Sequence, residues 1–162
     1  MNTLLLEVGT EEIPAGYIVP ALEAMSATLS KKLTDARIDH GRLQIFGTPR
    51  KLTVTVENVA AKQKSVKSEV IGPPANIGFD DSGKPTMAGQ KFAEKVGVPL
   101  NKLTIKETPK GEYLVAQKSE RGLASKTLLK DILPSVILST PFPKKMRWAS
   151  LDIEFARPIH NI

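Results

Sequence analysis

The chain of 162 residues contains no cysteine, so disulfides, thiol catalysis and cysteine-based zinc sites are excluded. Aromatic residues make up only 5% of it, and the core must therefore rest on Leu, Val, Ile and Ala. No apolar run has the length that spans a bilayer, and the segment Met1–Val8 lacks the basic region and long apolar stretch of a signal peptide. We therefore expect a soluble cytoplasmic protein without membrane contact.

The common sequence signatures of catalysis are also missing. The sequence has no G-x-S-x-G, no G-x-G-x-x-G and no complete G-x-x-x-x-G-K-[ST] motif. Glu11 and Glu12 are adjacent and would diverge by about 100° on a helix, which favours a helix N-terminus over an acid–base pair. Asp80 and Asp81 lack the ligand spacing of a calcium loop, which favours a solvated turn. No catalytic, cofactor-binding or metal-binding residue is predicted.

The apolar pattern predicts a mixture of strands and helices. Strands are predicted at residues 3–8, 42–46, 52–59, 103–107 and 113–118. A first helix is predicted from apolar residues spaced three and four apart, namely Ile18, Leu22, Met25, Leu29 and Leu33. A short helix should follow Thr86 as its cap and end at Gly97, and a last helix should start near Ala124. Pro20 is tolerable if it lies in the first turn of the first helix, and Pro134 should either kink the last helix or divide it in two.

The order of these elements indicates the fold class. Two of the strand pairs are separated by short turn sequences and read as hairpins, and no regular βαβ alternation occurs. The sequence therefore predicts an α+β fold, in which about three helices pack on a mainly antiparallel or mixed sheet.

Positive charge is in moderate excess, because 23 Lys and Arg against 17 Asp and Glu give a formal net charge of +6. Such an excess favours polyanionic partners. Arg50 and Lys51 follow a Gly-Thr-Pro turn that would project them from the end of a hairpin. Lys144, Lys145 and Arg147 lie within four consecutive positions.

The segment Pro141–Trp148 has two interpretations. In one, its cations hold phosphate oxygens while an aromatic residue anchors the loop, as in nucleic-acid-binding proteins. In the other, Met146 and Trp148 are buried in the core and the neighbouring cations are merely exposed. The sequence leaves both open.

Five segments occur in an order that resembles one family. They are Leu4–Ala15, Phe46–Leu52, Phe79–Thr86, Pro141–Trp148 and Phe155–His160. Together they are similar to the N-terminal region of the beta subunit of bacterial glycyl-tRNA synthetase. The resemblance implies that residues 1–162 are an N-terminal domain, or part of one, truncated at its C-terminus. The chain departs from the family at Ala149, where Gly is frequent, and at Asn161, where an aromatic residue is frequent.

The resemblance also implies an enzyme of two alpha and two beta subunits that attaches glycine to tRNA(Gly) with ATP and magnesium. In that family the alpha subunit carries the adenylation site, and the beta subunit supplies tRNA binding and is needed for activity. The anticodon-binding part and the HD-type domain lie outside this region, so the fragment alone should be inactive and hold no cofactor. Its expected partners are the alpha subunit, tRNA(Gly) and the remainder of the beta subunit.

Two hypotheses of different classes follow. In the first, the region faces tRNA and supports assembly, and its cations hold phosphates so that the acceptor end reaches the partner subunit. The candidate tRNA-binding residues are Arg50, Lys51, Lys144, Lys145 and Arg147. In the second, the region is a protein–protein docking module without RNA contact, which an exposed apolar patch would favour. A third hypothesis, a free-standing small-molecule enzyme, would need a deep pocket lined by Glu11, Glu12 and His160.

Overall fold

A computed structural model describes residues 2–80, 83–109, 111–147, 150 and 152–162. Contacts divide the chain into unit 1, formed by Met1–Lys64 with Gly122–Ile162, and unit 2, formed by Ser65–Arg121. The strands in chain order are β1 (Asn2–Thr10), β2 (Leu43–Thr48), β3 (Lys51–Val59), β4 (Val66–Pro74), β5 (Leu103–Thr108), β6 (Gly111–Glu120), β7 (Met146–Arg147), β8 (Glu154–Phe155) and β9 (Ile159–Asn161). The helices are α1 (Ala15–Asp35), α2 (Ala75–Gly78), α3 (Met87–Val96) and α4 (Ser125–Leu138), with a 3₁₀ turn at Leu100–Lys102.

The main sheet of unit 1 has the strand order β2-β3-β1-β9, and its strand pairs are antiparallel. α1 connects β1 to β2, and β3 then returns between these two strands. In this register Leu6 lies opposite Val54 and Val8 opposite Leu52. These four side chains are at most 2% exposed and share one core with the helices. Leu52, Val54 and Val56 are buried in this core, and Thr53, on the opposite face of β3, is only 9% exposed.

α1 supplies the helical half of this core. Its buried residues are Ala21, Leu22, Met25, Leu29 and Leu33, four of which the periodicity predicted. The helix begins at Ala15, so Pro20 lies in the second turn rather than the first. A proline at this position leaves the carbonyl of Gly16 without its helical donor. Because Gly16 is exposed, water can bond that carbonyl at little cost.

α4 packs against α1 and completes the core with Val136 and Ile137. Four more apolar residues of α4 are partly buried there, namely Leu128, Leu129, Ile132 and Leu133. The helix continues through Pro134 as one element, which excludes the alternative in which Pro134 divides it in two.

Unit 2 contains a second sheet of order β4-β6-β5, whose strand pairs are also antiparallel. Its small core consists of Ala93, Leu103, Leu114 and Ala116. Both predicted ends of α3 are confirmed. The backbone N–H of Gly89 donates to the hydroxyl of Thr86 at 3.4 Å, and Gly97 terminates the helix in the left-handed region at φ 74°.

The predicted α+β class is confirmed, since all strand pairs of the described residues are antiparallel and helices pack against the sheets. The strands nevertheless form two separate sheets and a two-stranded ladder of β7 and β8 rather than one sheet. α2 was not predicted, because a single turn of four residues has no readable periodicity. Within the described residues, no helix has the length and apolar character needed to cross a membrane.

Candidate nucleic-acid interface

The segment Gly9–Pro14, which comprises the last two residues of β1 and the four residues after it, is hydrogen-bonded to the turn between β2 and β3. The Thr10 N–H donates to the carbonyl of Arg50 at 2.9 Å, and the Ile13 N–H donates to the carbonyl of Pro49 at 2.7 Å. Because both acceptors lie in the turn itself, these bonds fix the backbone from which the Arg50 side chain projects. The predicted projection of Arg50 from the end of a hairpin is confirmed, since its side chain is exposed.

The same segment also holds the C-terminal part of unit 1. The Glu11 N–H donates to the carbonyl of Pro158 at 3.0 Å, and the Arg157 Nε donates to the carbonyl of Glu12 at 3.1 Å. Three of the five landmark segments found in the sequence therefore meet at this end of the main sheet.

Gly9 permits the close approach of the last strand. It lies opposite Asn161 in the register of β1 and β9, and a Cβ at this position would collide with the side-chain amide of Asn161. The Asn161 side chain therefore packs directly against the backbone of Gly9.

The predicted place of Glu11 and Glu12 at a helix N-terminus was wrong. β1 extends to Thr10, and α1 begins only at Ala15, with no acidic residue in its first turn. The backbone groups of Thr10, Glu11 and Glu12 are bonded to the two neighbouring segments instead. Pairing of β1 with both β3 and β9 keeps the chain extended longer than its local sequence indicates.

Arg157 connects a fourth landmark segment, Pro141–Trp148, to the same end of the main sheet. Its Nη1 donates to the Sδ of Met146 at 3.4 Å, while its Nε bonds the carbonyl of Glu12. Met146 and Arg147 form β7, which pairs with β8. Sequence reasoning named Arg157 as a landmark without a role, and its contacts make it a positioning residue for the cationic segment.

Phe142 anchors that segment in the core. It is 9% exposed, and its ring lies edge-on to Phe155, with the two centroids 4.8 Å apart. Met146 is 38% exposed, so the interpretation in which it is buried was wrong, and Trp148 lies outside the described residues. The available signal for Phe142 was an aromatic residue between two prolines, in a chain poor in aromatics.

The five candidate cations fall into two groups. In the part of the chain that the structure describes, Arg50, Lys144 and Lys145 form no ion pair; Arg50 and Lys144 are exposed and Lys145 is half-buried. Lys51 Nζ lies 2.8 Å from a carboxylate oxygen of Glu7. Arg147 lies 3.4 Å from Asp152 and 3.9 Å from Glu154, measured between guanidinium nitrogen and carboxylate oxygen. The first three cations are thus the ones free to meet an external anion.

The pair of Lys51 and Glu7 changes the titration of the carboxylate. The pKa of Glu7 is lowered from its ordinary value of 4.5, mainly by the hydrogen bond from Lys51, with the ammonium charge and the hydroxyl of Thr53 acting in the same direction. Desolvation opposes them. A carboxylate with a lowered pKa stabilises the fold above its ordinary pKa, and this contribution is lost as pH falls through the lowered pKa. The relevant pH range therefore lies below 4.5.

Replacing Lys51 with alanine is expected to raise the pKa of Glu7 toward 4.5, because the hydrogen bond and the positive charge are both removed. A carboxyl-detected NMR titration of Glu7 measures this shift. Lys31→Ala, at an exposed position on α1, should leave it unchanged. A Glu7 pKa that does not respond to Lys51→Ala would contradict the assignment.

The carboxylates and histidine considered for catalysis do not form a deep pocket. His160 Nε2 lies 3.1 Å from Glu11 Oε1, and the two side chains are 54% and 55% exposed. The Asp80 carboxylate accepts a bond from the Lys84 N–H at 2.8 Å, as in the predicted turn, while Asp81 lies outside the described residues. Among the residues described, no group of three or more His, Asp or Glu is arranged to hold a metal ion.

Comparison with known proteins identifies the class to which this arrangement belongs. Residues 4–162 match a family of aminoacyl-tRNA synthetase subunits. The chain belongs to this family, which is described as the glycyl-tRNA synthetase beta subunit, and the resemblance seen in the sequence is confirmed.

Individual relatives agree with this assignment. The chain is 51% identical to the glycine–tRNA ligase beta subunit of Desulfatibacillum aliphaticivorans and 50% identical to that of Desulforapulum autotrophicum. It is 46% identical to the glycine–tRNA ligase beta subunit of Geobacter metallireducens. Each comparison covers 100% of this chain and 24% of the relative, so the chain spans about a quarter of the length of the curated relatives that it matches.

Proposed function

We propose that this chain is the tRNA-facing N-terminal region of the beta subunit of a glycine–tRNA ligase. In this proposal, the complete cytoplasmic enzyme has two alpha and two beta subunits and joins glycine to tRNA(Gly) with ATP and magnesium. The alpha subunit carries the adenylation site. Residues 1–162 position tRNA and support assembly with the alpha subunit and the remainder of the beta subunit, and they do not perform the chemistry.

The observation that carries the proposal is that three of the five candidate cations form no ion pair in the described structure, namely Arg50, Lys144 and Lys145. A cation without a protein counter-charge can neutralise a phosphate and release the counterions condensed on the nucleic acid. Arg50 projects from a turn bonded to the Gly9–Pro14 segment, and the segment that carries the lysines reaches the same loop through Arg157.

Lys51 and Arg147 make a smaller contribution in this proposal. Their ion pairs are exposed, with 55% and 60% of the two cationic side chains accessible, and exposed pairs contribute only about 0–1 kcal/mol. Either cation can therefore exchange its carboxylate partner for a phosphate at low cost. The gain is correspondingly reduced, because the original pair must first be broken.

The mechanism supported by this arrangement is positioning. Phe142 is buried against Phe155, and Arg157 bonds the loop after β1, so the backbone that presents the cations is held before any ligand arrives. Cations on a fixed backbone lose little conformational freedom when they bind phosphates. They can thus orient the acceptor end toward an active site on another subunit, where correct geometry lowers the barrier.

Titration of labelled tRNA(Gly) with the 162-residue chain at several salt concentrations tests this function. We expect saturable binding that weakens with salt, with a slope of log K against log salt of about −0.9 per phosphate contact. A parallel pull-down uses the alpha subunit without tRNA. Capture of the alpha subunit combined with no saturable tRNA binding would replace this proposal with the docking module.

A further inference from the structure

Unit 1 contains an apolar groove between α4 and the strands β8 and β9. Its volume is about 460 Å³. The described residues that line it are all apolar: Leu133, Pro134, Ile137, Leu138, Ile153, Phe155, Pro158, Ile159 and Ile162. The rim residues Leu138, Ile153 and Ile162 are 44%, 41% and 75% exposed. We refer to this feature as the α4 groove.

The lining chemistry restricts what the groove can bind. Small-molecule pockets normally contain a few polar groups that orient the ligand, and no polar side chain is among the described residues that line this groove. A phosphate backbone would lose its hydration there without gaining any partner. Contiguous exposed apolar surface of this kind marks contact with another apolar protein surface.

The length of the relatives indicates which protein segment supplies the apolar surface that contacts the α4 groove. The chain corresponds to an N-terminal region of the relatives and covers 24% of each, so about three quarters of a relative lies outside the matched region. In a relative, the polypeptide continues past the position of Ile162, which itself lines the groove. A segment tethered at this point has a high effective concentration for the groove, whereas a separate protein must reach it by diffusion.

We propose that the α4 groove is the docking site for the part of the beta subunit that directly follows residue 162. Apolar side chains of that segment insert between α4 and β9 and cover the exposed rim. The site is independent of the cations assigned to tRNA, because none of them lines the groove.

Cysteine footprinting tests the proposal, and the absence of native cysteine in this chain makes each probe unique within it. Leu138→Cys and Ile153→Cys report on the groove rim, and Leu5→Cys, at a position 62% exposed on β1, is the matched control. Each variant is made in the 162-residue chain. Each is also made in a full-length beta subunit whose matched region is this chain and whose remainder comes from the Desulfatibacillum aliphaticivorans relative. Mass spectrometry follows modification by N-ethylmaleimide at each position.

We expect modification at positions 138 and 153 to be at least tenfold slower in the full-length subunit than in the 162-residue chain, with position 5 unchanged. Equal rates in the two proteins would overturn the proposal, as would equal slowing at all three positions. Slowing that requires the alpha subunit would assign the groove to that partner instead. Slowing that grows with the concentration of the 162-residue chain would assign it to a second copy.

Discussion

Simultaneous replacement of Arg50, Lys144 and Lys145 with alanine is expected to weaken tRNA binding about a hundredfold. Each lost contact with a phosphate removes about 1 kcal/mol, and about 3 kcal/mol corresponds to roughly a hundredfold in Kd. The slope of log K against log salt should become shallower by about 0.9 for each contact removed. Titration of labelled tRNA(Gly) at several salt concentrations measures both quantities, and circular dichroism verifies that the variant is folded.

A second triple variant tests whether tRNA affinity depends on the location of the cations or only on the net charge of the chain. Lys31, Lys126 and Lys130 are exposed residues of α1 and α4. Their replacement with alanine removes three positive charges, as many as the first variant removes, but from other positions. We expect this variant to retain affinity within a few fold of the original chain. Equal weakening in the two triple variants would show that net charge alone drives binding, and the proposed interface would then be wrong.

Phe155→Ala is expected to lower the free energy of unfolding of unit 1 by about 3–5 kcal/mol, because it leaves a large cavity in the core. Phe155 is 1% exposed and lies edge-on to Phe142, so its loss also removes the support of the cationic segment. Urea unfolding gives the overall change. Hydrogen exchange resolved by peptide shows that the loss falls on unit 1.

Phe46→Ala is the matched control, since it removes the same side chain from a position on β2 that is 55% exposed. We expect a change below about 1 kcal/mol for this variant, as for most surface substitutions. If the two alanine variants lost similar stability, Phe155 would not be the support that the structure indicates. tRNA affinity measured on Phe155→Leu, which keeps much of the apolar volume, distinguishes loss of the anchor from loss of the fold.

Local patterns were sufficient for most of the secondary structure. The spacing of apolar residues predicted α1, and Thr86 with Gly97 predicted both ends of α3, because these signals lie within one or two helical turns. The same signals failed where strand pairing competes with them. The sequence after β1 reads as a helix start, yet hydrogen bonds from distant strands hold it extended as far as Thr10.

At the candidate site, too, local sequence signals did not predict contacts between residues that are distant in the chain. The five candidate cations were predicted from a turn that precedes two of them and from the clustering of the other three, and all five were given the same role. Lys51 is nevertheless paired with Glu7, which lies 44 positions away. Burial of Met146 was one of two interpretations that the sequence left open, and the structure shows that Phe142 anchors the segment instead. Sequence reasoning could not find the role of Arg157, whose guanidinium bonds the carbonyl of Glu12 across 145 positions. Contacts between residues so far apart in the chain leave no periodic or local pattern in the sequence from which they could be predicted.

The sequence by itself determined the family, through five ordered landmark segments, and the α+β class, through apolar spacing and turn residues. Only the tertiary structure decided which cations are free, which aromatic residue holds them and where four of the landmarks meet. The physical reason is the range of the interactions. Helix periodicity and capping act between residues a few positions apart, whereas ion pairs, ring contacts and sheet pairing depend on proximity that folding creates. Which cations are free, and where the α4 groove lies, therefore depend on proximity that folding creates.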